Sequence, residues 1–306
     1  MDNPIAWGQV FGIYNIVDRY MGNCMKIRNL WQGIALVSIS LLGMACSYAD
    51  SSRYYDIHYV DKHTVAIGEP EYYQKNYNYL ILGESQAILF DSGPGVHNVR
   101  PVIESLTSLP VIAAASHLHF DHIGNHHLFD EIAIVDLPEL KSRVDKKGRF
   151  LPTQPEFLGF IDQLTPHALL VTQWWQAGAT IDIGNRTLEV LHIPGHTPSS
   201  MAIFDRSRNQ LFVGDFIYPG SLLVGDVDAY IHSTQTLLDV VSEDTKIFTA
   251  HALSSGVPLL YRKDLEDLAV ALKRFKQGAL KSTRNGECGP TYPVNKQITF
   301  EVCDFL

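Results

Sequence analysis

The sequence predicts a mixed α/β domain, and three observations carry that expectation. Short apolar runs of strand length recur from Tyr79 to Phe248 with glycine or polar turns between them. Between two of these runs, Ala87 to Phe90 and Val111 to Ala115, the residues Val99, Val102, Ile103 and Leu106 fall at helical spacing, which makes strand, helix, strand. The residues with the most chemistry then stand at the carboxyl end of that unit. With 306 residues and no long low-complexity tract, the chain can bury a sizeable core in one large domain or two smaller ones. Its formal net charge is −9 and its longest basic run near the middle is Lys146-Lys147. No basic track is offered to a phosphate backbone, so nucleic acid is excluded as a substrate class.

Taken in order, the chain opens on a stretch that reads as processing. From Met25, Lys26 and Arg28 precede the apolar segment Leu30 to Ala45 and the small residues ending at Ala49, the pattern of an exported protein. This predicts an upstream extension over 1–24, a signal peptide over 25–49 and a mature domain over 50–306, periplasmic or secreted. Gln32, Gly33 and two serines interrupt the apolar segment, so no stable membrane span is expected in the mature chain. Lipidation at Cys46 is the alternative, on a weak lipoprotein box. After cleavage only Cys288 and Cys303 remain. They either form a disulfide across the turns at Gly289-Pro290 and Pro293-Val294-Asn295 or stay as buried thiols.

The runs Tyr79 to Leu82 and Ala87 to Phe90, joined by Gly83-Glu84-Ser85, read as a hairpin that ends in Asp91-Ser92-Gly93-Pro94-Gly95. Pro110 stops the following helix, and Val111 to Ala115 is a buried strand. From Leu128 to Ala177 a strand is expected over Ile132 to Val135 and helices over Leu137 to Val144 and Glu156 to Leu164. Phe157, Phe160, Trp174 and Trp175 in this segment serve either the core or the roof of a cleft. The second half predicts strands at Thr180 to Ile183, Leu188 to Ile193, Met201 to Phe204, Gln210 to Val213 and Lys246 to Phe248.

Ser116 to Asn125 packs three imidazoles and a carboxylate into the six positions from His117 to His122. His117 and His119 leave the strand end on one side, while Asp121 and His122 follow on a turn and face a neighbouring point. That suits two metal centres. Imidazole and carboxylate without thiolate are the donors of a hydrolytic zinc site, with manganese or iron as alternatives. Three later loops offer further donors: Pro194-Gly195-His196-Thr197-Pro198, Gly214-Asp215-Phe216-Ile217-Tyr218 and Thr249-Ala250-His251-Ala252.

This ordered set resembles the metallo-β-lactamase superfamily from about Tyr55 to Leu260. The resemblance implies an αββα sandwich with a dinuclear site at its edge. His117, His119 and His196 would hold one metal and Asp121, His122 and His251 the other, with Asp215 bridging both. Asp91 matches the family's strand-end aspartate. His126, His127, His192 and His232 match no ligand position. The implied chemistry is attack by a hydroxide shared between two Zn2+ ions on a small-molecule ester, lactone or thioester. Asp121 is then both ligand and catalytic residue.

True β-lactamases usually carry Cys or Ser where Asp215 stands, whereas glyoxalase II-like thioesterases and lactonases keep an aspartate. Tyr218 resembles a lactonase tyrosine that polarises the substrate carbonyl; packing is its other reading. Asn125 and Ser199 depart from glycines common in relatives, and no pair of basic residues marks a glutathione site. The alternatives are a β-lactamase, a persulfide dioxygenase with a single iron, and a zinc-sequestering protein.

Overall fold

A computed structural model describes residues 54–160 and 162–304. The upstream extension, the signal peptide and Cys46 lie outside the described residues.

Strand alternation explains the layers. In the strand Tyr77–Leu82, Tyr79 and Ile81 face one side and Leu80 the other; in Ala87–Phe90, Ile88 and Phe90 oppose Ala87 and Leu89. Both faces are apolar because both are covered. These strands are the middle of a seven-stranded sheet in the order Asp56–Asp61, Thr64–Gly68, Tyr77–Leu82, Ala87–Phe90, Val111–Ala114, Glu131–Val135, Gln173–Trp175. Its early pairs are antiparallel and those from Ala87–Phe90 onward are parallel. A six-stranded sheet follows in the order Thr180–Asp182, Thr187–His192, Met201–Asp205, Gln210–Phe212, Lys246–Phe248, Leu259–Leu260.

Between the sheets, Tyr79, Ile88 and Phe90 meet Val190, Met201, Ile203, Phe212 and Phe248. The outer face of the first sheet packs Val65, Leu80 and Leu89 on Val99, Val102 and Ile103, at and beside the helix Arg100–Leu106. The outer face of the second packs Leu191, Phe204 and Leu211 with Tyr230 and Leu237 of the helix Val227–Val240 and Leu265, Leu268 and Leu272 of the helix Arg262–Lys276. Helix, sheet, sheet and helix are thus the αββα sandwich expected. Arg186, 4% exposed, ties the sheets: Nε donates to Asp205 Oδ2 at 2.7 Å, Nη1 to the His63 and Leu82 carbonyls at 2.6 and 2.9 Å, and Nη2 to Thr64 Oγ1 at 2.9 Å.

Two expectations need correction. The helices over Leu137 to Val144 and Glu156 to Leu164 are single turns, Pro138–Lys141 and Gln154–Phe157. Asp145, whose carboxylate accepts from the amides of Lys147 and Arg149, turns the chain after the first, and Leu158 in a left-handed conformation ends the second. Phe157 and Trp175 are core residues and Trp174 packs beside them, whereas Phe160 is exposed.

A third sheet, absent from the sequence expectations, pairs Gly220–Val224 with Ile298–Val302, then Pro290–Pro293 and Arg284–Asn285. Cys288 and Cys303 are bonded across it, with Cα atoms 5.1 Å apart. Of the two alternatives for these cysteines, the structure has the disulfide.

Candidate metal centre

Asp91 and Gly214 shape the buried loops that build the site. Asp91, with φ of 64°, turns the chain at the end of Ala87–Phe90, and its Oδ1 accepts the Ser116 amide at 2.7 Å. Its Oδ2 lies 2.9 Å from His122 Nδ1. Asp91 therefore caps a backbone amide and orients an imidazole at once. Gly214, with φ of 53°, lets the Asp215 loop pass Ser116 so closely that a Cβ there would lie 2.4 Å from Ser116 Oγ. Asp121 and His122 stand on one helical turn, Phe120–Ile123, rather than on an irregular turn, with His119 extended at its N-cap.

All seven expected donors converge and are buried. They form two groups, His117, His119, His196 and Asp215, and Asp121, His122, His251 and Asp215; in each, the donor atoms lie within 4.8 Å of one another. In the first, His119 Nδ1 is 2.8 Å from His117 Nε2 and 3.2 Å from His196 Nε2, and Asp215 Oδ2 is 3.6 Å from His196 Nε2. In the second, Asp215 Oδ1 lies 3.0 Å from His251 Nε2 and 3.3 Å from His122 Nε2, and Asp121 Oδ2 lies 3.4 Å from both nitrogens.

These atoms fit a cation. His122 Nε2 and Asp215 Oδ1 are buried and no hydrogen bond satisfies them, a costly state that an ion between them relieves. Imidazole nitrogens face one another, where they repel if both carry protons and cooperate if they share a metal. Burial and the neighbouring imidazoles hold His117 well below the usual histidine range, and the same causes, burial first, lower His119 to about 3. Both are then neutral, as ligands must be. Burial opposes ionisation of Asp121, yet His122 and His251 bring its carboxyl down to about 2. Burial also opposes charge on His122, but Asp215, Asp121 and Asp91 prevail and raise it well above its usual value. A divalent ion would take over that stabilisation and release the proton.

Backbone carbonyls orient two of the imidazoles. His196 Nδ1 meets the Leu223 carbonyl at 2.8 Å and His251 Nδ1 the Gln74 carbonyl at 3.2 Å, which leaves each Nε2 lone pair facing the site. Asn76 donates Nδ2 to the Asp121 carbonyl at 2.7 Å and to Asp121 Oδ2 at 3.3 Å. None of these three supports is among the sequence expectations. A carbonyl leaves no trace in residue identity, and Asn76 reads as a loop asparagine until Asp121 is placed beside it.

His126, His127, His192 and His232 stay outside both groups, as expected. His126 Nδ1 lies 2.7 Å from Ser92 Oγ, and His127 stacks on His167. Asn125 serves the loop, donating to the Ser92 and His97 carbonyls. The ring of Tyr218 stands 5.1 Å from that of His251, but its hydroxyl donates to the Ser221 carbonyl at 2.9 Å. In this structure the phenolic proton points to backbone.

The sandwich and its edge cluster define a class of metallo-hydrolase-like proteins. A family model described as the metallo-beta-lactamase superfamily matches residues 75–269, and the chain belongs to that superfamily. Acyl-coenzyme A thioesterase MBLAC2 of Homo sapiens is 27% identical over 210 residues, 60% of this chain and 75% of that protein. Hydroxyacylglutathione hydrolase GloC of Haemophilus influenzae is 25% identical over 187 residues, 58% of this chain and 86% of that protein. Among solved structures, a metallo-beta-lactamase from Pontibacter korlensis superposes with a TM-score of 0.53 at 15% identity, over 72% of this chain and 99% of that one. That likeness bears on the fold alone.

Proposed function

We propose that this chain is a dinuclear zinc hydrolase of a small-molecule ester, lactone or thioester. The observation that carries the reading is Asp215, one carboxylate shared by both groups of imidazoles: Oδ1 lies by His122 and His251, and Oδ2 stands 3.1 Å from His251 Nε2 and 3.6 Å from His196 Nε2. A divalent cation in each group, zinc by this donor set with manganese or iron as alternatives, would supply Lewis acidity to the substrate carbonyl and a lowered pKa to the attacking water. The chain's own groups do the rest. Asp91 and the Leu223 and Gln74 carbonyls fix the imidazole orientations. Asp121, kept ionised and held by Asn76, orients the attacking water. The Tyr218 hydroxyl, on leaving Ser221, donates to the developing oxyanion. The names of the two relatives, an acyl-coenzyme A thioesterase and a hydroxyacylglutathione hydrolase, support this branch over lactam cleavage.

A panel of thioesters, lactones, aryl esters, phosphodiesters and β-lactams against the purified, zinc-loaded chain tests the reading. An ester, lactone or thioester should show the highest kcat/KM. A penicillin or carbapenem ahead of all of them would replace it with the lactamase alternative, and one iron per chain would replace it with the dioxygenase.

A further inference from the structure

The family-matched stretch ends at residue 269, yet the chain continues into three strands, the last of which pairs with a strand beside the site. Ile298–Val302 pairs in parallel with Gly220–Val224, from Gly220 against Ile298 to Val224 against Val302. The pairing is closed at both ends by Gly220 N donating to the Gln297 carbonyl and Cys303 N to the Val224 carbonyl, each at 2.9 Å. Gly220–Val224 carries the Leu223 carbonyl that receives His196 and the Ser221 carbonyl that receives Tyr218. A strand outside the matched stretch thus holds the strand that orients a candidate ligand.

Glu301 lies at the centre of this arrangement. It is 1% exposed. Its Oε1 accepts the Ser221 hydroxyl at 3.0 Å and its Oε2 the Cys288 amide at 2.7 Å. Gly286 passes so near that a Cβ on it would lie 2.4 Å from the same Oε2. A buried carboxylate is costly, and packing alone would favour an apolar side chain at this position. What the carboxylate does that an apolar group cannot is join Ser221, on the strand beside His196, to the loop bonded through Cys288.

We propose that Glu301 is a positioning residue for the metal centre: through Ser221 and Cys288 it fixes the strand Gly220–Val224, and so the Leu223 carbonyl that sets the His196 imidazole. The proposal rests on His196 being a zinc ligand. It implies that the C-terminal sheet belongs to the site's support.

Glu301→Met, which keeps the volume and removes both acceptors, Ser221→Ala and the double variant test it, with zinc affinity measured by competition against a chromophoric chelator and Tm measured on the metal-free chains. Each single variant should bind zinc on the order of 10-fold more weakly, at the low end of what loss of an outer support costs. The double variant should be little worse than Glu301→Met alone, because that change already breaks the link to Ser221. Lower Tm with zinc affinity within about twofold of wild type would mean that Glu301 only holds the sheet together, and would overturn the proposal. A wild-type chain that binds no zinc would remove the site reading and this inference together. Should Glu301→Met fail to fold, Ser221→Ala, which removes a single hydroxyl, decides alone.

Discussion

Asp215 is the residue on which most of the site's electrostatics converge. Burial opposes its ionisation, but His251 and His122 hold its carboxyl well below the usual range, so it is charged whenever the site is built. Asp215→Asn keeps the shape and removes the charge. Metal content should fall and turnover should drop on the order of 100-fold or more, read by metal analysis beside kinetics. Tyr218→Phe should separate differently: with only the phenolic donor gone, kcat should fall on the order of 100-fold at unchanged metal content. A change in Tm alone would mean that the bond to Ser221 is its whole role. Behind the site, burial pushes the Glu69 carboxyl up to about 8, against the bond it accepts from Asn78. Its folded pKa lies above its unfolded value, so the folded chain holds a proton that the unfolded chain has lost. That stability is present below the ordinary carboxyl range and disappears as pH rises toward 8. The unfolding free energy of the metal-free chain from urea titrations should therefore decline across this window, by at most about 1.4 kcal/mol per pH unit from this group, and Glu69→Gln should flatten the decline.

At the scale of elements, what was legible follows from where each signal resides. The hairpin Tyr77–Leu82 to Ala87–Phe90, the helix after it and the strand before His117 all show in local periodicity, because each buries its own apolar face. The metal cluster shows in residue type, because few side chains can coordinate. The segment from 137 to 164 misled because its apolar spacing is helical, while the Asp145 side chain turns the chain onto its own next amides and Leu158 takes a left-handed conformation that a leucine does not announce. Leu265, Leu268 and Leu272 do stand at helical spacing and mark the helix Arg262–Lys276, which the sequence expectations omit. The C-terminal sheet is of another kind: Gly220–Val224 and Ile298–Val302 find each other across the chain, and no local pattern announces a distant partner. Its disulfide closes a separation of 15 residues, so Cys288→Ser with Cys303→Ser should cost roughly 3 kcal/mol in denaturant unfolding.

For the whole molecule, the bonded cysteines agree with an oxidising compartment, which we propose as the destination of a chain cleaved after Ala49. N-terminal sequencing from a Gram-negative host should find Asp50 first, and an intact Met1 or Met25 in the cytoplasm would refute it. No helix among the described residues is long and apolar enough to cross a membrane. The two sheets are joined by apolar packing and by Arg186, which donates to Leu82 and Thr64 of the first sheet and to His63 in the turn between its first two strands while paired with Asp205 of the second, the pair's side chains being 3% and 0% exposed. Losing either partner alone strands a buried charge and costs about 3–5 kcal/mol, a large share of a domain's net stability. Evolutionary drift therefore meets a barrier at these two positions. Lineages should inherit the pair intact or exchange both members together, so that in an alignment of descendants the two columns change as one, whatever has happened to their substrates.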